Sequence, residues 1–396
     1  MEKLQGNHKD IYLWTQKETV EEVAIQQLIN TASLPIIFNH LAVMPDVHYG
    51  KGATVGSVIA TKEALIPAAV GVDIACGMGA ILTNLTIEEI KEVGVSTLRT
   101  SIERTIPTGF HQHSSPAYQK YEDSTIYNYV KDLIENFQTI HRPGIKCTQE
   151  KAALQLGTLG GGNHFIELNH DSTGRIWIML HSGSRYIGKE LAEYHIKVAK
   201  NLPHNQQLPD KDLAYLIEGT PEFKDYLEAV DWAQQYAWLN RQVMAELIIR
   251  DLSHYFPHLK TPQMIWCHHN FIKNENHYGE NVWITRKGAI NASKDVMGII
   301  PGSMGTSSYI VKGKGNQASF ESASHGAGRR MSRTGAKRNF DINDLDKQMA
   351  GIEFNRSCSV IDEIPGAYKD IELVMKNQED LVEIVGKLDH ILVVKG

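Results

Sequence analysis

The chain has 396 residues, 42% hydrophobic and 22% charged, with a formal net charge of -6. That balance excludes disordered, fibrous and collagen-like chains and leaves room for a substantial core. Because the overall charge is acidic, a nucleic-acid partner would have to be held by a local basic patch.

In chain order, β-branched and apolar runs predict a strand over Ser57–Thr61, then a helix over Thr86–Thr100. Thr86 is the expected N-cap of that helix, with Glu89 three residues on to complete a capping box. Pro107–Ala117, rich in His, Ser and Pro, reads as a loop, and Ile126–Ile140 as a helix. A strand is expected over Arg175–Leu180 and a loop over Asn201–Asp212. The clearest helical period lies in Glu222–Leu252, where Tyr226, Val230, Ala233, Ala237, Met244, Leu247 and Ile248 recur on one face. Strands follow over Met264–Cys267, Asn281–Thr285, Tyr309–Val311 and Ile391–Val394. Strands and helices mix without a βαβ rhythm, which predicts an α+β fold of mixed sheets with flanking helices. Motifs that suggest chemistry run from Asp46 to Lys395, so residues 1–396 are expected to form a single compact domain.

The four cysteines, Cys76, Cys147, Cys267 and Cys358, are far apart, with no C-x-x-C pair. This argues against a zinc ribbon, a thioredoxin-type site and a disulfide framework. Met1–Thr15 is polar, and no apolar run approaches the roughly 18–20 residues of a membrane span. A cytoplasmic, soluble protein is the expectation.

Ordinary nucleotide motifs are missing. Gly-Lys occurs four times but is never followed by Ser or Thr, and neither a Rossmann fingerprint nor H-E-x-x-H is present. Instead, glycines cluster beside chemically able side chains: Gly71–Gly79, Gly157–His164, His181–Arg185, Pro301–Gly305 and His325–Arg329. Glycine lets a backbone approach a ligand closely and turn its N–H groups toward a phosphate. Any one cluster alone is better explained as a turn; five together favour a site. Asp73 and Cys76, three apart, could reach one divalent ion, and His164, His181 and His268–His269 supply imidazoles suited to a first-row metal. Taken singly, a cysteine is more often a small buried hydrophobe and a histidine structural. His325 precedes Arg329, Arg330, Arg333, Lys337 and Arg338, the most basic stretch of the chain. A neutral imidazole there could attack phosphorus while guanidinium groups offset charge, against the plainer reading of a solvated basic face. Asn240 and Arg241, midway along the long helix, are open between a substrate contact and a surface role.

Met44–His48, Val72–Met78, Gly160–Glu167, His181–Arg185, Cys267–Asn270, Arg286–Ala289, Pro301–Gly305, Ser324–Arg329, Pro365–Asp370 and Val394–Gly396 follow one another in an order that resembles the RtcB family of GTP-dependent RNA ligases. The resemblance runs from about Pro45 to the last residue. It implies that His325 attacks GTP and carries GMP, which passes to an RNA 3′-phosphate before a 5′-hydroxyl closes the junction. It also implies opening of 2′,3′-cyclic phosphates, in RNA repair or tRNA splicing. One Mn²⁺ would be held by Asp73, Cys76 and His164, a second by Cys76, His181 and His269. Guanine-nucleotide contacts would come from Asn163, Phe165, Glu167, Pro301, Gly302, Ser303, Ser308, Ala327, Gly328, Tyr368 and Lys395. A monomer without membrane contact is expected, with the need for an activating protein left open. Ala75 departs from the glycine usual before the bridging cysteine, and would be strained if that position needs positive φ. Lys51 and Phe110–Ser115 lie outside the matched motifs and are candidates to line the RNA path. Two other readings compete: a two-metal phosphoesterase acting on nucleic-acid ends, and an inactive RNA-binding paralogue.

Overall fold

The computed structural model describes residues 1–121 and 124–396. Its strands form two large sheets. A six-stranded sheet runs, edge to edge, through Glu2–Leu4, Asp10–Leu13, Ile37–His48, Val55–Thr61, Glu280–Lys287 and Asn270–His277. An eight-stranded sheet runs through Gln263–His268, Gly77–Thr86, Arg175–Ser182, Phe165–His170, Val382–Lys395, Ser308–Gly313 and Met297–Ile300, with Glu353–Phe354 added beside Val382–Lys395. Two of its edge strands, Gln263–His268 and Met297–Ile300, come back together, so the sheet curls toward a barrel. Nearly all pairings are antiparallel, and the architecture is α+β as the sequence predicts.

Side-chain alternation explains why both faces of Arg175–Ser182, in the middle of the second sheet, are dry. Ile176, Ile178 and Leu180 point to a core shared with helices, whereas Trp177 and Met179 face the inside of the curl with Met78, Ala80 and Ile310. The helical layer is dominated by Pro221–Ser253, which starts at a Thr220 N-cap whose Oγ accepts from Phe223 N at 3.3 Å. Every residue of its predicted apolar stripe is buried. The predicted Thr86–Thr100 helix needs correction. The Thr86–Glu89 capping box forms, but Gly94, at φ 96, splits the segment into Ile87–Val93 and Val95–Thr105. The helix Arg185–Lys200 is not among the elements the sequence predicts. Gly188 within it reads as a breaker in sequence. In the fold it is required because a Cβ there would overlap the Ser184 hydroxyl.

Candidate active site

Two tight turns deliver the first donors. Asp73 and Cys76 occupy the turn between the short helix Pro67–Val70 and the strand Gly77–Thr86, closed by Cys76 N donating to Asp73 O at 3.2 Å. His164 directly precedes Phe165–His170, His181 lies in Arg175–Ser182, and His269 sits between Gln263–His268 and Asn270–His277. Strand pairing brings them together, because Met78 is registered with both His181 and Cys267, and Phe165 with His181.

Around Cys76 Sγ, His181 Nε2 lies at 3.1 Å and His164 Nε2 at 3.3 Å. His164 Nε2 is 3.0 Å from Asp73 Oδ2, and His181 Nε2 is 3.2 Å from His269 Nε2. The donor atoms thus form two triads, Asp73–Cys76–His164 and Cys76–His181–His269, each within 4.8 Å and sharing the thiol. Outer contacts set the ring orientation. His164 Nδ1 meets Leu159 O at 2.9 Å and His181 Nδ1 meets Asn163 O at 3.2 Å, so both turn their Nε2 lone pairs inward. Two imidazole nitrogens and a sulfur facing one another, buried, repel unless a cation or proton lies among them. This donor set fits one or two first-row divalent ions. His268, the neighbour of His269, points elsewhere: its Nδ1 meets Arg241 Nη2 at 3.0 Å.

Electrostatics agree with this role. Burial, reinforced by Asp73, pushes the Cys76 thiol well above its ordinary value, so a cation would have to displace its proton. Burial and neighbouring imidazoles push His181 and His269 well below theirs, leaving them neutral as ligation requires. Burial works against ionisation of Asp73, yet the hydrogen bond and charge of His164, with Arg185, hold it below the usual carboxylate range. Gly183 makes room for that carboxylate, since a Cβ there would overlap it.

His325 follows the strand Ser322–Ser324 and is 4.9 Å, ring to ring, from His269. Its Nδ1 lies 2.6 Å from Oδ2 of fully buried Asp46, which also accepts from His325 N at 3.2 Å. A carboxylate at this distance orients the ring so that Nε2 faces the cleft side, the arrangement of an oriented nucleophile or base. The sequence shows Asp46 only as one residue of a motif; nothing local ties it to a histidine 279 positions away.

The cleft beside His325 is lined by Asn163, Phe165, Glu167, Pro301, Gly302, Ser303, Ala327, Gly328, Tyr368 and Lys395, together with Asp73, Cys76, His181 and His269. Ser308 stands behind this wall, its Oγ accepting from Gly302 N at 3.4 Å. Glu363, not anticipated, is the hub of the far end. It accepts from Tyr368 Oη at 2.6 Å, Lys395 Nζ at 3.1 Å and Arg329 Nη1 at 3.2 Å. Burial opposes its charge, but Lys395 and Arg333 keep its carboxyl low.

One expectation is corrected. Asn240 and Arg241 are fully buried and belong neither to the surface nor to the cleft lining. Arg241 Nη1 donates to Ala75 O and Ser182 O, each at 2.9 Å, and Asn240 Oδ1 accepts from Gly157 N at 2.8 Å, so both brace the donor-bearing turns. The basic run is an exposed face at Arg330, Arg333, Lys337 and Arg338, though part of it is tied down. Arg329, Arg333 and Lys337 are bonded to Asp362 and Glu363. Ala75 does adopt positive φ, at 55°.

Residues 27–396 match the family model described as tRNA-splicing ligase RtcB. The chain is 46% identical to the RNA-splicing ligase RtcB of Escherichia coli (strain K12), over 100% of this chain and 99% of that protein. It is 30% identical to the tRNA-splicing ligase RtcB of Methanococcus maripaludis, over 96% and 92%, and 29% identical to that of Nanoarchaeum equitans, over 95% and 92%. With this fold and these relatives, the protein is an RNA ligase. The chain belongs to the RtcB family.

Proposed function

We propose that the protein seals RNA 3′-phosphate or 2′,3′-cyclic phosphate ends to 5′-hydroxyl ends at the expense of GTP, with His325 as the covalent carrier of GMP. The observation that carries this reading is the 2.6 Å contact between Asp46 Oδ2 and His325 Nδ1 in a cleft that is also lined by Asp73, Cys76, His181 and His269 of the two donor triads. In the first step His325 Nε2 forms a bond to the α-phosphorus and pyrophosphate leaves, with Asp46 balancing the charge that develops on the ring. An oxygen of the RNA 3′-phosphate then takes the α-phosphorus, returning the lone pair to Nε2. Finally the 5′-hydroxyl oxygen gives up its proton to solvent, bonds to the 3′-phosphorus and expels GMP.

Asp73, Cys76, His164, His181 and His269 would hold two Mn²⁺ ions, which supply Lewis-acid polarisation of phosphoryl oxygens. Asn163, Phe165, Glu167, Pro301, Gly302, Ser303, Ala327, Gly328, Tyr368 and Lys395 would surround the guanine nucleotide, with Ser308 supporting the Pro301–Ser303 turn. Among the described residues no helix is long and apolar enough to cross a membrane. The proposed setting is cytoplasmic, as a single-domain monomer acting in RNA repair or tRNA splicing.

The test is incubation with GTP carrying a labelled α-phosphate and Mn²⁺, comparing wild type with His325→Ala. An acid-labile, alkali-stable label present only in the wild type is expected. Metal-loaded wild type that takes no label and yet removes terminal phosphates from RNA would make the protein a two-metal phosphoesterase instead.

A further inference from the structure

Phe110 lies on the loop between Ile106 and Ala117, and its relative exposure is 102%, so the whole ring stands in solvent. A single exposed apolar residue is ordinary on a floppy loop, but this backbone is pinned on both sides of the ring. Leu159 N donates to Pro107 O at 3.0 Å and Gly109 N to Gly160 O at 2.7 Å, while Arg185 Nη2 donates to Gly109 O at 3.0 Å. On the other side, His111 N donates to Thr108 O and His113 N to Leu154 O, each at 3.1 Å, and His113 Nε2 meets Gly157 O at 3.0 Å. The protein therefore spends six hydrogen bonds presenting an aromatic face to water.

The place of presentation matters as much. Gly160 and Gly161 lead directly to Asn163 and His164. A Cβ added at Gly161 would lie 3.6 Å from Gly109 Cα, and one at Gly162 would lie 3.1 Å from Arg333 Nη2. The ring thus emerges beside the Gly160–Gly162 turn that leads into the cleft holding His325, where the exposed Arg333 guanidinium lies against Gly162. An aromatic platform beside positive charge suits single-stranded nucleic acid, whose bases offer π-faces and whose backbone is anionic.

We infer that Phe110 is a stacking platform for a base of the RNA strand close to the end being joined, a role that rests on the RNA-joining reading above. Stacking accepts any base, so the contact would add affinity without sequence preference. Phe110 touches neither His325 nor the donor triads, and formation of the GMP–histidine bond should not depend on it.

The experiment uses 3′-phosphate and 5′-hydroxyl oligonucleotides carrying 2-aminopurine at successive positions near the end, whose fluorescence falls on stacking. They are titrated with wild type, Phe110→Ala, Phe110→Leu and Phe110→Trp. Quenching at one position by wild type and Phe110→Trp, lost in Phe110→Ala and Phe110→Leu, is expected. Alongside it, the RNA concentration for half-maximal ligation should rise about tenfold or more in the Ala variant, with His325 labelling unchanged. Equal quenching by all four proteins overturns the inference. So does full function in Phe110→Leu with loss in Phe110→Ala, which would assign the ring to a general apolar contact rather than to stacking. Quenching needs no chemistry, so absent labelling in wild type would strike the guanylylation reading and leave the fluorescence to judge Phe110 separately.

Discussion

Arg286 is fully buried, yet its guanidinium makes four hydrogen bonds: to Glu275 Oε1 at 2.8 Å and Oε2 at 2.9 Å, to Ser322 Oγ at 2.8 Å and to Phe320 O at 3.0 Å. His277 completes the set, its Nε2 lying 3.0 Å from Glu275 Oε2. Around Cys76, equally buried, the sulfur and the histidine nitrogens face one another instead. One cluster has matched its charges within the protein, leaving His277 Nδ1 without a partner among the described residues; the other has collected acceptors that a cation would satisfy. The first holds Ser322–Ser324 in place and so fixes where the next residue, His325, begins. The second faces that histidine. Burial of polar groups therefore serves stability in one region and ligand capture in the other, and the pattern of donors and acceptors tells them apart.

The sharpest way to test this contrast is Cys76→Ala. Because the thiol belongs to both triads, bound metal counted by mass spectrometry should fall at both positions, and ligation should drop by several kcal/mol of barrier, roughly a thousandfold or more. Thermal stability of the metal-free protein should change little. A large loss of stability would show that the cluster is structural after all.

Next in size is Arg286→Met, which strands Glu275 as a buried unpaired carboxylate. Denaturant unfolding should report a loss of about 3–5 kcal/mol, while the folded protein keeps its full metal complement. A neutral outcome would remove the distinction drawn between the two clusters.

Acid sharpens the same point. Burial alone would raise the Glu275 pKa, but His277 and Arg286 hold it down to about 2, against an ordinary 4.5. A carboxylate lowered in the folded state contributes stability that is complete above about pH 4.5 and is lost as pH falls toward 2. Stability measured at pH 5 and pH 3 should fall in the wild type, and Glu275→Gln should flatten that part of the fall. An equally steep decline in the variant would place the acid sensitivity elsewhere.

The smallest effect is expected from Ala75→Gly. Relief of the left-handed conformation, worth about 1–2 kcal/mol for a residue with a Cβ, is offset by about 0.5–1 kcal/mol of extra freedom in the unfolded chain. A gain of no more than about 1 kcal/mol should appear in the denaturation midpoint. A clear loss would mean that the buried methyl matters more than the turn.

Much of this was legible in the residues because it is local. The Thr86–Glu89 capping box, the stripe of the long helix and the glycines beside Asp73, Cys76, His164 and His181 each declare themselves within a few positions. What escaped depends on contacts remote in sequence. Glu363 gains its meaning from Lys395, Arg329 and Tyr368, and Asp46 gains its from His325. Asn240 is the polar residue on an apolar stripe, a hint of a buried partner, but the partners are turns some 80 residues upstream. The strand Val382–Lys395 was recognised only at Ile391–Val394. Its earlier half alternates with Glu383, Lys387 and Asp389, and the register shifts between His390 and Leu392.

The reach of these contacts also bears on how the molecule comes into being. The Cys76–His181 contact closes a loop of 105 positions, Cys76–His164 one of 88, and Asp46–His325 one of 279. Strand pairings of comparable span, Trp283 with Thr61 and His268 with Gly77, already hold the turns that carry these donors, so the protein scaffold itself brings the donor set together. Such a scaffold does not depend on a metal ion for its folding, unlike a zinc finger. Treatment with a chelator should therefore leave a folded protein ready to be reloaded.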